Sequence, residues 1–483
     1  MVAAKPRPAA RAKIVATLGP ASRAPAVLEA LALAGADVFR INGAHTAPEA
    51  VGAVVRDVRR VERRIGRPLG VLLDLPGVKI RIGRLEGGEL GLETRALVRL
   101  VAGASGGPGD PPTIAVPPGI ARALAPGHEI LLADGGIALR ALRRDEGGML
   151  ARVEAGGSLR ERVGIHVRGV SHAGAVVTAL DRRLAVAGVD GGVDALAVSF
   201  VRAPSDLRTV RRTLADAGRR APLLVSKIER REAVDRLDEI LDASDGVMVA
   251  RGDLGLEYGP ETLPGLQKRI LDAALSHGRF AIVATQMLES MTTAVRPTRA
   301  EATDVANAVF DGADAVMLSG ETAVGAHPVL VVETMDRIVL AAESDSHCPF
   351  AGDRRHPEPV ADPTRPDRLV VRAAVRLAMD AAADAIVVFT RAGQSARRLA
   401  KERPRSPIYA YAADEHVRRG LVLSWGVRPR HLLTAGSTDA TMLAVATDLR
   451  RRAGFPSGAR VVLVMGGADD PTGATSIIKL LTL

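Results

Sequence analysis

The sequence predicts an α/β protein in which a (β/α)8 TIM barrel carries a small β-barrel domain inserted after its third strand and is followed by a C-terminal doubly wound α/β domain. Three observations carry this expectation. Eight short runs rich in β-branched residues alternate with stretches patterned as amphipathic helices. Residues 75–192 interrupt that alternation between the third and fourth runs, far more than a strand-to-helix connection needs. A fresh alternation begins after a polar, Pro-rich passage, HCPFAGDRRHPEPVADPTRP, that starts at His347.

The barrel strands are expected at KIVATL from Lys13, DVFRIN from Asp37, LGVLLD from Leu69, VDALAVSF from Val193, PLLVSKI from Pro222, DGVMVA from Asp245, RFAIVATQ from Arg279 and ADAVMLSG from Ala313. They are nearly continuous apolar runs, as parallel strands covered on both faces must be. Between them lie helical patterns such as VLEALALAG from Val27 and LQKRILDAALSHG from Leu266. The barrel is assigned to residues 1–80 and 170–345. The insert, residues 81–169, holds Gly- and Pro-rich stretches (GASGGPGDPP) and short apolar runs such as EILLADGGIAL, the pattern of a small β domain. The last domain spans 346–483, with 346–366 as linker. It contains helix RLVVRAAVRLAMDAA, strand DAIVVFT, helix QSARRLAKER and strands PIYAY and RVVLVMG.

Hydrophobic residues make up 47% of the 483 and charged residues 25%, which places the chain in the globular class. Aromatics are only 2%, so the core must be built from Ala, Val, Leu and Ile. The single cysteine, Cys348, excludes an internal disulfide framework and fits a reducing compartment. The basic N-terminus has no apolar segment behind it and no apolar run could span a bilayer, so a cytoplasmic protein without membrane contact is expected. The net charge of +10, and the cluster Arg56, Arg59, Arg60, Arg63 and Arg64, raise nucleic-acid binding as a reading. The scarcity of aromatics and the absence of RNA-binding or zinc motifs argue against it. The arginine cluster is expected to be a solvated helix face, and the positive charge to suit small anionic ligands.

In a TIM barrel the functional groups gather at the C-terminal ends of the strands. Here those ends offer, in order, Thr17; Arg40 and Asn42; Asp74; Ser199; Lys227 and Glu229; Arg251 and Asp253; Thr285 and Gln286; Ser319 and Glu321. Any one could be a capping or rim residue, but polar groups at all eight ends describe a site. Glu229 and Asp253 could hold a hard divalent cation such as Mg2+, and no His or Cys cluster competes for it. Lys227, two residues before Glu229, shares its side of the strand and could equally be its ion-pair partner. Gly252 and Gly255 around Asp253 would let backbone N–H groups approach an anion, although a tight turn explains them as well.

Six blocks in order, KIVATLGPASR from Lys13, SKIE from Ser226, MVARGDLGLE from Met248, ATQMLESM from Ala284, RPTRAEATDVANAV from Arg296 and DGADAVMLSGETAVG from Asp311, resemble pyruvate kinase. TRAGQSARRLA from Thr390 and GGADDPTGATSIIKL from Gly466 are a looser match. The resemblance implies glycolytic phosphoryl transfer from phosphoenolpyruvate to ADP, giving pyruvate and ATP. It implies Mg2+ (or Mn2+) on Glu229 and Asp253, and substrate held by Ala250, Arg251, Gly252, Asp253 and Thr285, chiefly through backbone amides. Lys227 and Arg40 would stabilise the phosphoryl group in flight. Thr285 would serve in protonating enolpyruvate, through a water relay to which Ser319 belongs. Thr17, Pro20, Asn42, His45 and Arg81 match positions near the nucleotide or the transferred phosphate. A homotetramer is implied too. Thr390, Gly393, Gln394 and Ser395, with the Thr472–Ser476 loop, would take a phosphorylated effector.

The chain departs from the family pattern at several positions. It reads Asn42, Gly43, Ala44, His45 where members usually read Asn-Phe-Ser-His, and Leu75 and Lys79 where potassium-dependent members have Thr and Glu. With Asn42 and Asp74, these positions form the monovalent-cation region. The pattern resembles the potassium-independent subgroup, with the Lys79 ammonium expected in place of K+, or else as a surface charge near the hinge. In the insert, Val163 occupies a nucleotide-contacting lysine position, and Arg160 or Arg162 would have to supply the charge. Two other readings stand beside the kinase: a catalytically weak paralogue that senses phosphoenolpyruvate or a related oxyacid, and a Mg2+-dependent barrel enzyme of the aldolase type.

Overall fold

The computed structural model describes residues 10–170, 174–348, 350, 366–432, 438–466 and 475–483. Eight parallel strands close a barrel: β1 (Lys13–Leu18), β2 (Val38–Asn42), β3 (Gly70–Leu75), β4 (Ala195–Val198), β5 (Leu223–Ile228), β6 (Gly246–Ala250), β7 (Phe280–Ala284) and β8 (Ala315–Leu318). All eight expected strands are present, because each is an apolar run bounded by Gly, Asp or a polar turn. Val15, Val38, Leu72, Val225, Met248, Ile282 and Met317 fill the barrel interior. Register then sets the site: Thr17 lies level with Arg40, Asn42 with Asp74, Lys227 with Met248 and Ala250 with Ala284.

The helix Pro48–Ile65 starts with Pro at its first turn and ends on Gly66 in a left-handed conformation. Its arginine cluster is only partly the solvated face expected. Arg56, Arg60, Arg63 and Arg64 are exposed. Arg59 instead is buried, its guanidinium bonded to Asp194 Oδ2 at 2.6 Å and to the Leu69 and Gly192 carbonyls.

The insert runs from the strand Arg84–Leu85 to the strand Ile165–Val167. It forms a six-stranded sheet and two two-stranded ladders rather than one closed ladder. Val98, Leu100, Ile130, Leu139 and Val153 of the sheet share a core with Leu85, Leu92 and Leu159 of the ladders.

The last domain is a five-stranded sheet in the order Val427–His431, Ile408–Ala412, Ala385–Phe389, Arg460–Gly466, Thr475–Thr482, parallel except for the last strand. Helices Pro366–Asp380 and Gln394–Lys401 pack on one face and Thr438–Arg452 on the other, as a doubly wound fold requires. The two edge strands were not expected. VRPRH carries a proline and two arginines, which only an edge strand tolerates. Most of the expected linker 346–366, and residues 472–474 of the expected effector loop, lie outside the described residues.

This domain seals the barrel floor. Val422 and Leu423 join the barrel interior cluster, and the ammonium of Lys401 reaches Asp314 Oδ2, at the foot of β8, at 2.5 Å. Among the described residues no helix is long and apolar enough to cross a membrane.

Candidate active site

At the strand tops Lys227 is the centre of a charged knot. Its ammonium lies 3.0 Å from Glu229 Oε1, 3.4 Å from Asp74 Oδ1 and 2.8 Å from Ser199 Oγ. Asp74 is shared: Arg40 meets its other oxygen with Nε at 2.9 Å and Nη2 at 2.7 Å, and reaches Thr17 Oγ1 at 3.2 Å. Burial alone would depress the Lys227 pKa, but the Asp74 and Glu229 carboxylates outweigh it and hold the ammonium well above its ordinary value. Burial would likewise raise Asp74, and the Lys227 and Arg40 charges bring it below the usual carboxylate range. Glu229 goes the other way. Its burial, with Asp253 adding like charge, outweighs Lys227 and the Phe200 N–H that donates to Oε2 at 2.6 Å, so its carboxyl titrates above the ordinary value.

The next wall is the helix Arg251–Tyr258, which begins where β6 ends. Gly252 N–H donates to Thr285 Oγ1 at 2.9 Å, and Thr285 Oγ1 donates to the Ala284 carbonyl at 2.6 Å. A Cβ at Gly252 would meet only Thr285 Oγ1, at 3.8 Å, so that side of the helix N-terminus is open to an anion. Arg251 turns away from this opening. Its guanidinium bonds the Thr285 carbonyl and Asp304, leaving only its backbone to a substrate.

The other expected residues are scattered between the barrel rim, its interior and the two further domains. Thr17 is buried, donating to the Leu318 carbonyl at 2.7 Å, with its own N–H on Thr322 Oγ1. Asn42 Oδ1 accepts from Ala44 N–H, and Pro20 and His45 are exposed at the rim. Ser319 N–H donates to Glu321 Oε2 at 2.6 Å. Arg81 Nη1 donates to the Arg162 carbonyl within the insert. Lys79 Nζ is 2.8 Å from Asp134 Oδ1 of the insert, not on Asp74, whose oxygens are met by Arg40, Lys227 and Ser199. Leu75 is buried. Far from these, Thr390 Oγ1 accepts from Gly393 N–H at 2.9 Å, Ser395 Oγ meets Thr475 Oγ1, and Gln394 Oε1 accepts from Arg398.

Three partners were not singled out from the sequence. Ser199 was only a strand end, yet it bonds both Lys227 and Asp74. Thr322, inside the GETA segment, ties β1 to β8, and Asp304 anchors Arg251. Thr322 and Asp304 lie inside two of the matched blocks and Ser199 only at a strand end, but side-chain pairing across strands leaves no local pattern that would name them. A cavity of about 410 Å³ lies elsewhere, between the barrel floor and the last domain, and is lined by Lys13, Arg67 and Arg428.

Among the described residues no group of three or more His, Cys, Asp or Glu could cage a metal. The donor set of Glu229 and Asp253 still suits Mg2+, which takes one or two carboxylates and completes its shell with water and phosphate oxygens. Burial is the main cause of the raised titration of Glu229, and the lesser contribution from the Asp253 charge is a repulsion that a divalent cation would relieve.

A TIM barrel whose strand tops set a lysine and an arginine among carboxylates, beside an open helix N-terminus, has the cationic and anion-binding groups that a phosphotransferase needs. The comparisons with known proteins narrow this. A model of the pyruvate kinase barrel domain matches residues 9–332, and one of the pyruvate kinase alpha/beta domain matches 368–481. The chain is 40% identical over 473 residues to a pyruvate kinase of Methylorubrum extorquens, covering 97% of each. It is 38% identical over 471 residues to one of Mycobacterium tuberculosis, covering 97% of this chain and 98% of the relative. A pyruvate kinase of Geobacillus stearothermophilus is 38% identical over 479 residues, 97% of this chain and 80% of that one. The chain belongs to the pyruvate kinase family. Nothing in these matches favours a binding-only paralogue.

Proposed function

We propose that this chain transfers the phosphoryl group of phosphoenolpyruvate to ADP, giving pyruvate and ATP, with Mg2+ and without a requirement for K+. The observation that carries this reading is the Lys227 ammonium, fixed by Asp74, Glu229 and Ser199 at the mouth of the barrel. Phosphoryl transfer needs little covalent help from a protein, so a fixed cation where charge develops is the main catalytic device. Lys227 and Arg40 meet the transferring group. The backbone N–H groups at the start of the helix Arg251–Tyr258 hold the substrate carboxylate, and Thr285, with Ser319, serves the protonation of enolpyruvate. Thr17, Asn42, His45 and Arg81 lie toward the nucleotide. Glu229 and Asp253 would hold Mg2+, which, when bound, supplies charge neutralisation on the phosphate and carboxylate oxygens.

The independence from K+ rests on chemistry beside Asp74. Gly43, Ala44 and Leu75 carry no side-chain oxygen, so a monovalent cation there would find few ligands. Lys79, the ammonium expected in place of K+, pairs instead with Asp134 of the insert, so this part of the reading rests on the missing ligand oxygens. The chain also works in the cytoplasm as a homotetramer, with a phosphorylated effector at Thr390, Gly393, Gln394 and Ser395.

A coupled assay with phosphoenolpyruvate, ADP and Mg2+, run in Tris or sodium buffer and again with K+, tests this reading. Pyruvate should form at similar rates in both, and chelation of the divalent cation should abolish it. No pyruvate in either buffer defeats the reading. A rate near zero that climbs steeply with K+ defeats its potassium-independent part.

A further inference from the structure

Arg251 is a buried charge that touches none of the groups expected to meet the phosphate. One edge of its guanidinium is spent on a single turn. Nε and Nη2 donate to the Thr285 carbonyl at 3.3 and 2.6 Å, and Nη2 also reaches the Gln286 carbonyl at 3.4 Å. On its other edge Nη1 lies 2.8 Å from Asp304 Oδ1 and 2.7 Å from Oδ2.

The turn it grips is strained. Thr285 has φ +71° and Gln286 φ +54°, two successive residues with side chains in the left-handed region, the first of them β-branched. Such a conformation persists only when its surroundings over-determine it, and it collects at functional sites. Here two neighbouring residues do so from opposite sides. Arg251 takes the carbonyl of Thr285 with its side chain, while Gly252 holds the hydroxyl of Thr285 with its backbone N–H at 2.9 Å. The β6–β7 register, Ala250 level with Ala284, brings the two segments side by side.

We propose that Arg251, braced by Asp304, is the positioning residue for Thr285, and that it governs protonation of the enol product rather than phosphoryl transfer. The inference rests on the functional reading above. In the first step of that reading the bond from phosphorus to the enol oxygen breaks, its electron pair staying on oxygen, and the phosphoryl group joins the terminal phosphate oxygen of ADP. In the second, the C=C electron pair of the enolate takes one proton at C3 and the C2–O bond becomes a carbonyl. The first step depends on Lys227, Arg40 and the metal. In that reading the Thr285 hydroxyl takes part in the chemistry only in the second, as part of the proton relay. A lysine cannot replace the arginine here, because a point-like ammonium cannot span two carbonyls and a carboxylate as the planar fork does.

The test separates the two steps in the full-length enzyme. ATP formation from phosphoenolpyruvate and ADP reports the first. Exchange of the C3 hydrogens of pyruvate with D2O, followed by proton NMR in the presence of ATP and Mg2+, reports the second. Arg251→Lys should slow exchange at least tenfold more than it slows ATP formation, each read at saturating substrate. Asp304→Asn, a milder change that keeps the arginine, should move both rates in the same direction by less. In a Thr285→Ala background, Arg251→Lys should produce no further loss of exchange, since both changes remove one device. Equal losses in the two assays, or losses that multiply in the double variant, overturn the proposal. Failure of the wild-type enzyme to make ATP defeats the functional reading instead, so the two failures are distinguishable.

Discussion

Lys227 and Glu229 stand two residues apart on β5 with their charged groups 3.0 Å apart, and each is almost entirely enclosed by protein. Neither charge would be tolerable there alone. A buried ion stripped of its partner is strongly destabilising, whereas this pair is completed by Asp74, Ser199 and the Phe200 N–H.

Lys227→Met should therefore lower kcat on the order of 10²–10³-fold, the loss seen when one electrostatic stabiliser of a transition state is removed. Steady-state kinetics with phosphoenolpyruvate and ADP would measure it. Because Glu229 and Asp74 then face each other without the ammonium, the thermal midpoint should fall as well. A variant with unchanged kcat would remove Lys227 from the mechanism.

Gly43 is needed for space. A Cβ there would lie 2.6 Å from the Asp74 carbonyl oxygen and 3.0 Å from Leu184 Cδ1. Gly43→Ala should cost about 1–3 kcal/mol, the range for overpacking a filled site, read by denaturant unfolding. Since the same backbone carries the Asp74 carboxylate that orients Lys227, kcat should fall with it.

The contact of Lys401 with Asp314 links the last domain to the barrel floor, where Asp314 is wholly buried and also accepts the Ala281 and Trp425 N–H groups. Lys401→Met should destabilise the protein by about 1–3 kcal/mol, because it takes the closer of two cations from a buried carboxylate that Arg403 still meets at 3.5 Å. The pH dependence follows from the sign of the shift. Burial, with Arg403 adding like charge, outweighs Asp314 and lowers the Lys401 pKa to about 8 from 10.5. Between those values the unfolded chain binds the extra proton, so this group makes stability rise with pH across that window and imposes its full cost below it. Denaturant unfolding at several pH values should show that rise in the wild type and lose it in Lys401→Met. The same slope in both proteins would assign it elsewhere.

Cys348 should be inert in the folded protein. Burial, with the Glu343 carboxylate nearby, pushes its thiol up to about 11, so almost no thiolate is present at pH 8. A disulfide-exchange reagent should release no colour from the native protein within minutes and one equivalent after denaturation. Rapid native labelling would contradict the burial.

Where the chemistry comes from a run of residues, it was legible in the chain. β5 reads SKIE and the helix at the end of β6 reads RGDLGLE, so the lysine and the carboxylates could be named before any coordinates, while the glycines there read equally as an anion cradle or a tight turn. The barrel itself follows from eight apolar runs, since buried parallel strands need side chains that are apolar on both faces. What the tertiary structure decided are the partnerships between segments distant in the chain. Asp74 emerges as the shared anchor of Lys227 and Arg40, Lys79 as a contact of the insert, Arg59 as a buried ion-pair member, and Arg251 as the brace of Thr285. Each depends on which side chain the register and the loop path bring within about 3 Å, and hydrogen-bond geometry at that range has no periodic trace in a sequence. The edge strands escaped for a related reason. Val427–His431 and Thr475–Thr482 are strands because a neighbour offers its ladder, not because their residues demand it.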